Sequence, residues 1–230
     1  MLNTLALTFD MPLKAGQIPA FRGAIAHLAG LRHDVFHNHD NDFKSPQFYK
    51  NRYPLVQYRV SEGRAAIFGC NEGATALEAL QKSGRFAAFE MRGQHRPLHI
   101  AERVQDRGFA PQVLPQGQFQ AYQVKGYLPF KPEKYQAYQA TEALSGRIAM
   151  LERLLCNHIV AFAYGIGWKL PQSPRLQVQL YAIDQVHRTT IENRPRTNFD
   201  LTFGVNATLP AAIGIGQKTA YGFGQLEAIH

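Results

Sequence analysis

The chain is poor in cysteine, with only Cys70 and Cys156 among 230 residues. The two lie far apart in apolar surroundings, so neither a disulfide framework nor a zinc-ligand spacing is present. A reducing, cytoplasmic setting is the expectation. Long hydrophobic runs are lacking as well. The most apolar stretch, residues 159–167, is too short to span a bilayer, and Glu152 and Arg153 precede it. The N-terminus Met1-Leu2-Asn3-Thr4 shows no basic region ahead of an apolar run and a cleavage site. The expectation is a soluble protein with no membrane partner. Acidic residues are outnumbered, 17 Asp and Glu against 25 Lys and Arg, for a net charge of +8. The excess is not a tail: residues 1–108 carry 14 basic against 10 acidic residues, and residues 109–230 carry 11 against 7. A basic surface spread over both halves suits a polyanion better than a small acidic metabolite.

Glycine is concentrated in one place. Residues 214–224 read Gly-Ile-Gly-Gln-Lys-Thr-Ala-Tyr-Gly-Phe-Gly, with a strand-like run, residues 225–229, directly behind. This is neither the dinucleotide fingerprint nor the phosphate loop of NTPases, because no helix follows. Such a loop either presents successive N–H groups to an anion such as RNA phosphate or serves as a glycine-rich turn.

Periodicity supplies the frame. In the first half, residues 5–9 read as a strand. A helix entered at Pro19 follows, with Phe21, Ile25 and Leu28 at helical spacing. Residues 54–60 and 64–70 read as a hairpin about the Glu62-Gly63 turn, residues 75–82 as a helix, and residues 86–91 as a last strand. In the second half, residues 119–127 read as a strand. A long helix over 133–164 follows, with an apolar seam of Leu144, Ile148, Leu151, Leu155, Ile159 and Phe162. Strands at 176–183 and 199–207 flank a polar, basic connection. The fold class is therefore α+β: two tandem ferredoxin-like (RRM-like) βαββαβ domains with antiparallel sheets, residues 1–108 and 109–230. Helices cover one face of each sheet, and the other face is expected to stay open as a platform for RNA.

The glycine loop, in the form G-h-G, five residues, G-h-G before a last strand, resembles the signature of the RAMP superfamily, RNA-binding proteins of CRISPR systems. In the first half, Phe21-Arg22-Gly23-Ala24-Ile25, Phe36-His37-Asn38-His39 and Tyr53-Pro54-Leu55-Val56-Gln57-Tyr58 resemble the N-terminal domain of the CRISPR-associated repeat-RNA endoribonuclease, in its b-type branch. The resemblance implies a metal-independent enzyme without cofactors that cuts precursor RNA within each repeat to release guide RNAs. Its implied partners are repeat RNA, other CRISPR-associated proteins and a second copy of the chain. A RAMP-type subunit that binds guide RNA without chemistry is the alternative.

RNA carries its own nucleophile, the 2′-hydroxyl, so cleavage needs a base, an acid and a cation near the phosphate. Histidine serves as base or acid near neutral pH. The resemblance places His37, His39 and Tyr49 in the active site. Lys44, Lys50 and Arg52 are nearby cations suited to the pentavalent phosphorane. On a strand, His37 and His39 would also share a face suited to a metal, with Asp34, Asp40 and Asp42 as candidate ligands. No downstream His/Asp/Glu cluster supports that reading. Arg22 is suited equally to a phosphate and to a neighbouring carboxylate. His27 reads as a packing residue, His158 as a satisfied, partly buried one, and Tyr53 as structural. Arg188, Arg194 and Arg196 read as a hairpin or loop that grips RNA. Arg92, His95, Arg96, His99 and Arg103 form a second basic cluster. Within the glycine loop, Gly214, Gly216, Gly222 and Gly224 shape the turn, and Lys218 is the cation expected nearest a phosphate.

Overall fold

The computed structural model describes residues 1–30, 34–37, 53–191 and 193–229. The chain divides into two compact units. Unit 1 comprises Met1–Phe109 with Ala220–Gly222, and unit 2 comprises Ala110–Thr219 with Phe223–His230.

Unit 1 runs β1 (Leu2–Pro12), α1 (Ile18–Ala29), β2 (Val56–Ser61), β3 (Arg64–Cys70), α2 (Glu72–Lys82), a two-residue-armed hairpin of β4 (Glu90–Met91) and β5 (Gln94–His95), and β6 (Ile100–Phe109). The sheet order is β2-β3-β1-β6, all antiparallel. That is the ferredoxin-like arrangement. The β2–β3 hairpin closes through Glu62 and Gly63, both at positive φ. Aromatic rings fill the space between sheet and helices. Phe21 of α1 packs edge-on against Phe9, Tyr58 and Phe89, with ring centroids 6.2, 6.0 and 5.9 Å away.

The fourth strand is not where periodicity puts it. Residues 85–88 form a 3-10 turn, and the strand that completes the sheet is β6. As an edge strand it is largely exposed, so its sequence (Ile-Ala-Glu-Arg-Val-Gln-Asp-Arg-Gly-Phe) lacks the apolar alternation of a buried strand. Arg103 and Arg107 on it converge on Glu78 of α2, at 3.9 and 3.3 Å. Lys82 joins them at 3.0 Å. Its hydrogen bond, with the three positive charges, holds the Glu78 carboxyl below the ordinary carboxylate range.

The sheet's second face is also not the open platform expected. Tyr58 and Ile67 belong to the core under the helices, so by alternation Gln57, Arg59 and Phe68 face the opposite way. All three are buried, as is Cys70. Arg59 lies 4.9 Å over the Phe68 ring, and burial pulls its guanidinium down to about 10. The Cys70 thiol is pushed up to about 12 by the same burial.

Unit 2 runs β7 (Gln120–Tyr127), α3 (Pro132–Ala140), α4 (Leu144–Gly165), β8 (Val178–Ile191), β9 (Arg194–Val205) and β10 (Gln225–Ala228), in sheet order β10-β7-β9-β8. This repeats the unit 1 pattern, with the glycine-rich segment in place of a second helix. The single long helix expected over 133–164 is two helices. Thr141 leaves helical geometry at φ −75°, ψ 109°. Arg147 stitches the break by donating to the carbonyls of Thr141 and Gln139 at 2.6 and 3.2 Å. Leu144, placed in the seam by spacing, is exposed at the start of α4, while Leu151, Leu155, Ile159 and Phe162 are buried. The two strands expected around a basic connection are far longer. β8 and β9 pair from Val178↔Val205 out to Ile191↔Arg194, so of the two readings, hairpin or loop, Arg188, Arg194 and Arg196 take the hairpin and stand on its arms.

The second face of this sheet is polar and charge-paired. Thr202 and Gln123 donate to Asp184, His187 meets Asp200 at 3.2 Å, and Lys125 meets Glu227 at 2.7 Å. With Lys125 paired to Glu227 and two further carboxylates, Asp184 and Asp200, on it, this face is not a basic platform.

Candidate active site

In unit 1, the buried stripe of α1 (Ile18, Phe21, Ile25) fixes the helix against the sheet and leaves Arg22 on the flank. Ile18 and Arg22 are one turn apart and share that flank. Two successive residues of the glycine-rich segment meet them. The Arg22 Nη1 donates to the Tyr221 hydroxyl at 3.0 Å, with the guanidinium 5.0 Å from that ring's centroid. Gly222 sits at φ 82°, and a Cβ there would lie 3.0 Å from the Ile18 side chain and 3.1 Å from the Tyr58 carbonyl oxygen. Only glycine takes both that conformation and that approach without strain.

The other end of Arg22 reaches the histidine segment. Its Nη2 donates to the main-chain carbonyl of His37. One residue earlier, the Tyr58 hydroxyl donates to the Phe36 carbonyl at 3.0 Å, and the His37 N–H donates to the Asp34 carbonyl at 3.3 Å. Phe36 itself is buried. Burial raises the Tyr58 hydroxyl well above its ordinary range, so it stays protonated and donates. Two consecutive carbonyls are thus pinned from β2 and α1 where the His-Asn-His sequence begins. The Arg22 Nε is buried without a hydrogen-bond partner. Arg22 therefore works here as a clamp on protein groups, a use that neither sequence reading named. Tyr221, its partner, is not among the site residues that the sequence suggests. Its signal was its place between the two glycine pairs.

Of the remaining predicted residues of this half, His39, Lys44, Tyr49, Lys50 and Arg52 lie outside the described residues. Asp40 and Asp42 do as well. Tyr53 accepts a hydrogen bond from the Gln57 Nε2 at 2.7 Å. His27 is exposed and does not pack in the core. The Arg92, His95, Arg96 and His99 side chains are exposed around the β4–β5 hairpin, and Arg103 is engaged with Glu78. Among the described residues no group of three or more His, Cys, Asp or Glu is placed to hold a metal ion. Among them, too, no helix is long and apolar enough to cross a membrane.

In unit 2 the glycine-rich segment is tied down by its own backbone. The N–H groups of Ile215, Gln217 and Gly224 donate to the carbonyls of Gly224, Leu128 and Gly126, at 2.8, 3.0 and 3.1 Å. Those three donors are committed to protein. Gly216, at φ 100°, lets the Tyr127 ring press against the backbone, since a Cβ there would lie 2.8 Å from it. Tyr127 in turn shares a 2.7 Å hydrogen bond with the Nδ1 of His158 on α4. Burial lifts the Tyr127 hydroxyl and lowers His158 to about 4. The phenol therefore donates, and the neutral imidazole carries its proton on Nε2. His158 is a satisfied, partly buried histidine, as the sequence indicated.

Gly214 pairs with Gln225 in an isolated bridge, and Lys218 sits at φ 56° beside Gln217. Arg196 joins the hairpin to this segment. Its Nη2 donates to the Phe130 carbonyl at 2.6 Å and to the Gln217 Oε1 at 2.7 Å. Arg188 and Arg194 are exposed farther along the arms. The structure thus brings Arg22 together with His37, and Arg196 together with the loop residue next to Lys218.

Two ferredoxin-like units share one strand order, and a glycine-rich segment precedes the last strand. Family models bear on the chain directly: the Cas6b N-terminal domain matches residues 1–106 and the Cas6b C-terminal domain matches residues 115–229. The chain belongs to the Cas6b family. A solved structure of Cas6b superposes with a TM-score of 0.81 at 17% identity, over 100% of both chains. A second, of a CRISPR RNA processing endoribonuclease Cas6b, gives 0.70 at 18% identity over 99% of both. Csf5, a type IV Cas6 crRNA endonuclease, gives 0.62 at 13% identity over 100% of both. At these identities the likeness speaks for the fold. No curated protein matches by sequence.

Proposed function

We propose that this chain is an endoribonuclease that cuts CRISPR precursor RNA within its repeats, without a metal, to release guide RNAs. Membership of the Cas6b family supports the class, as does the fold it shares with a Cas6b named as a CRISPR RNA processing endoribonuclease. The observation that carries the chemistry is the clamp on consecutive carbonyls at Phe36 and His37. It fixes the main chain at Phe36 and His37, and pre-organised geometry is what general acid–base catalysis requires. In this reading one histidine takes the proton of the 2′-hydroxyl. That oxygen attacks the adjacent phosphorus, and the P–O5′ bond breaks. The departing 5′-oxygen takes a proton from the other histidine or from Tyr49, leaving a 2′,3′-cyclic phosphate. Lys44, Lys50 and Arg52 are the cations available to the phosphorane. Arg188, Arg194, Arg196 and Lys218 serve RNA binding, and the domains are residues 1–108 and 109–230.

The test is incubation with a cognate repeat RNA in excess EDTA. The control RNA carries a 2′-deoxy group just before the cut. Cleavage in EDTA that the deoxy substitution blocks is the expected result. Binding without cleavage sinks the enzymatic reading in favour of a guide-RNA-binding subunit. Cleavage that returns only with a divalent metal sinks the metal-free mechanism.

A further inference from the structure

Unit 2 carries a second feature that the proposed cleavage chemistry does not use. Between α3 and the end of the β8–β9 hairpin lies a cavity of about 340 Å³, within the ~300–1,000 Å³ range of small-ligand pockets. Helix α3 is an odd wall. Its sequence, Pro-Glu-Lys-Tyr-Gln-Ala-Tyr-Gln-Ala, has no apolar stripe, and Tyr138 is its only buried residue. A helix so weakly amphipathic is not explained by packing. What it offers the cavity is Pro132, Tyr135, Gln136 and Gln139.

Tyr135 is backed by a ladder of rings. It stacks on Tyr138 at 6.0 Å and 20°, and Phe130 lies 4.9 Å from Tyr138 and 5.8 Å from Tyr135. Two rings therefore line the cavity, Phe130 and Tyr135, and the stack on Tyr138 holds Tyr135 in place. Across from it the hairpin supplies Arg194, Pro195 and Arg196. Arg196 is anchored by the Phe130 carbonyl and Gln217, while Arg194 is exposed. None of the described residues lining the cavity is acidic. A flat aromatic wall, two amide side chains and two guanidiniums match one ligand chemistry. That ligand has a planar face to stack, polar edges for amides and an anionic link for arginine.

We infer that this groove holds one unpaired nucleotide of a bound RNA strand, its base stacked on Tyr135 and its phosphate facing Arg194. The inference rests on the reading of the chain as a repeat-RNA enzyme. It places the base off the sheet, on the groove between helix and hairpin. The second face of the unit 2 sheet, with its paired carboxylates, is poorly suited to that task.

The test uses the full chain with two RNAs, the repeat RNA and a uridine 20-mer, each carrying 5-iodouridine at single unpaired positions. Photocrosslinking to a peptide spanning 130–139 or 194–197 is expected at one position of the repeat. Tyr135→Ala is expected to weaken RNA binding about 5- to 150-fold, the span of a single base–aromatic stack, and Tyr135→Phe about twofold or less. Arg194→Ala, at an exposed position, is expected to weaken binding and to lower the salt dependence by about one phosphate contact, which keeps the test alive if Tyr135→Ala fails to fold. Repeat RNA bound and cut by the wild type, with no crosslink here and unchanged affinity in Tyr135→Ala and Arg194→Ala, overturns this inference alone. It would hand the groove to a protein partner. Wild type that binds neither RNA overturns both this inference and the proposed function.

Discussion

Arg22 in unit 1 and Arg196 in unit 2 are used in parallel ways. Each donates to a main-chain carbonyl and to a side chain of the glycine-rich segment. The difference lies in what those partners do. The carbonyl under Arg22 belongs to His37, so that corner fixes the start of the histidine segment. The carbonyl under Arg196 belongs to Phe130, whose ring supports Tyr135, so that corner shapes a groove. The comparison teaches that the glycine-rich segment is a structural fastener in both units. Its glycines are there because backbone and rings approach too closely for a Cβ, as at Gly216 and Gly222. The two sheets differ in the same spirit: identical strand order, but a buried second face in unit 1 and a polar, charge-paired one in unit 2.

The largest test of this division is removal of the histidines. His37→Ala with His39→Ala is expected to slow single-turnover cleavage at saturating RNA by about 100- to 10,000-fold, with the dissociation constant little changed. Equal loss of binding and cleavage, with the fold intact, would make the pair phosphate ligands and erase the contrast between a chemical and a gripping corner.

Acid should separate the corners next. The anchor beneath Gly216 includes His158, whose folded-state value near 4 lies below its ordinary 6.5. Above pH 6.5 the imidazole is neutral in both states and nothing changes. As pH falls from about 6.5 towards 4, the unfolded chain binds the proton and the folded chain does not, so stability is lost, by about 3 kcal/mol in all. Urea unfolding of wild type and His158→Gln across that window should converge as pH drops. Parallel curves would show that this buried pair does not titrate as its environment demands.

Arg22→Ala and Arg196→Ala sharpen the comparison directly. Each removes charge-assisted hydrogen bonds and should cost about 2 kcal/mol of stability. Arg22→Ala should also slow cleavage at saturating RNA about 10- to 100-fold through misplacement of the histidine segment. For Arg196→Ala the loss should fall on RNA affinity. Both variants losing affinity alone would mean that Arg22 meets phosphate when RNA is bound. The smallest effect is Tyr221→Phe, which keeps the ring under the guanidinium and removes only the hydroxyl acceptor. About 1 kcal/mol of stability is expected, read by thermal unfolding.

Legibility followed burial. The β2–β3 hairpin was readable almost to the residue because alternation, a proline entry and a Glu-Gly turn agree. β6 was not, because an exposed edge strand carries charges in place of a pattern. The outer arms of β8 and β9 failed for the same reason, and their arginines were assigned to a connection, hairpin or loop, between shorter strands. The break between α3 and α4 has no glycine or proline to announce it. It is held by Arg147 reaching back to two carbonyls. At the candidate site, residue types were legible and their uses were not.

By itself the sequence determined the class of the molecule: a basic α+β chain with two ferredoxin-like halves, a glycine-rich closing segment and a histidine pair beside a Tyr-Pro strand entry. Those traits are local, written in spacing and composition within a dozen residues. Only the tertiary structure decided that Arg22 holds Tyr221, 199 residues away in sequence, and that the face of β2 and β3 turned from the helices is buried. It alone formed a groove between α3 and a distant hairpin. A guanidinium binds whichever acceptor lies within about 3 Å, and which acceptor that is depends on how the whole chain packs.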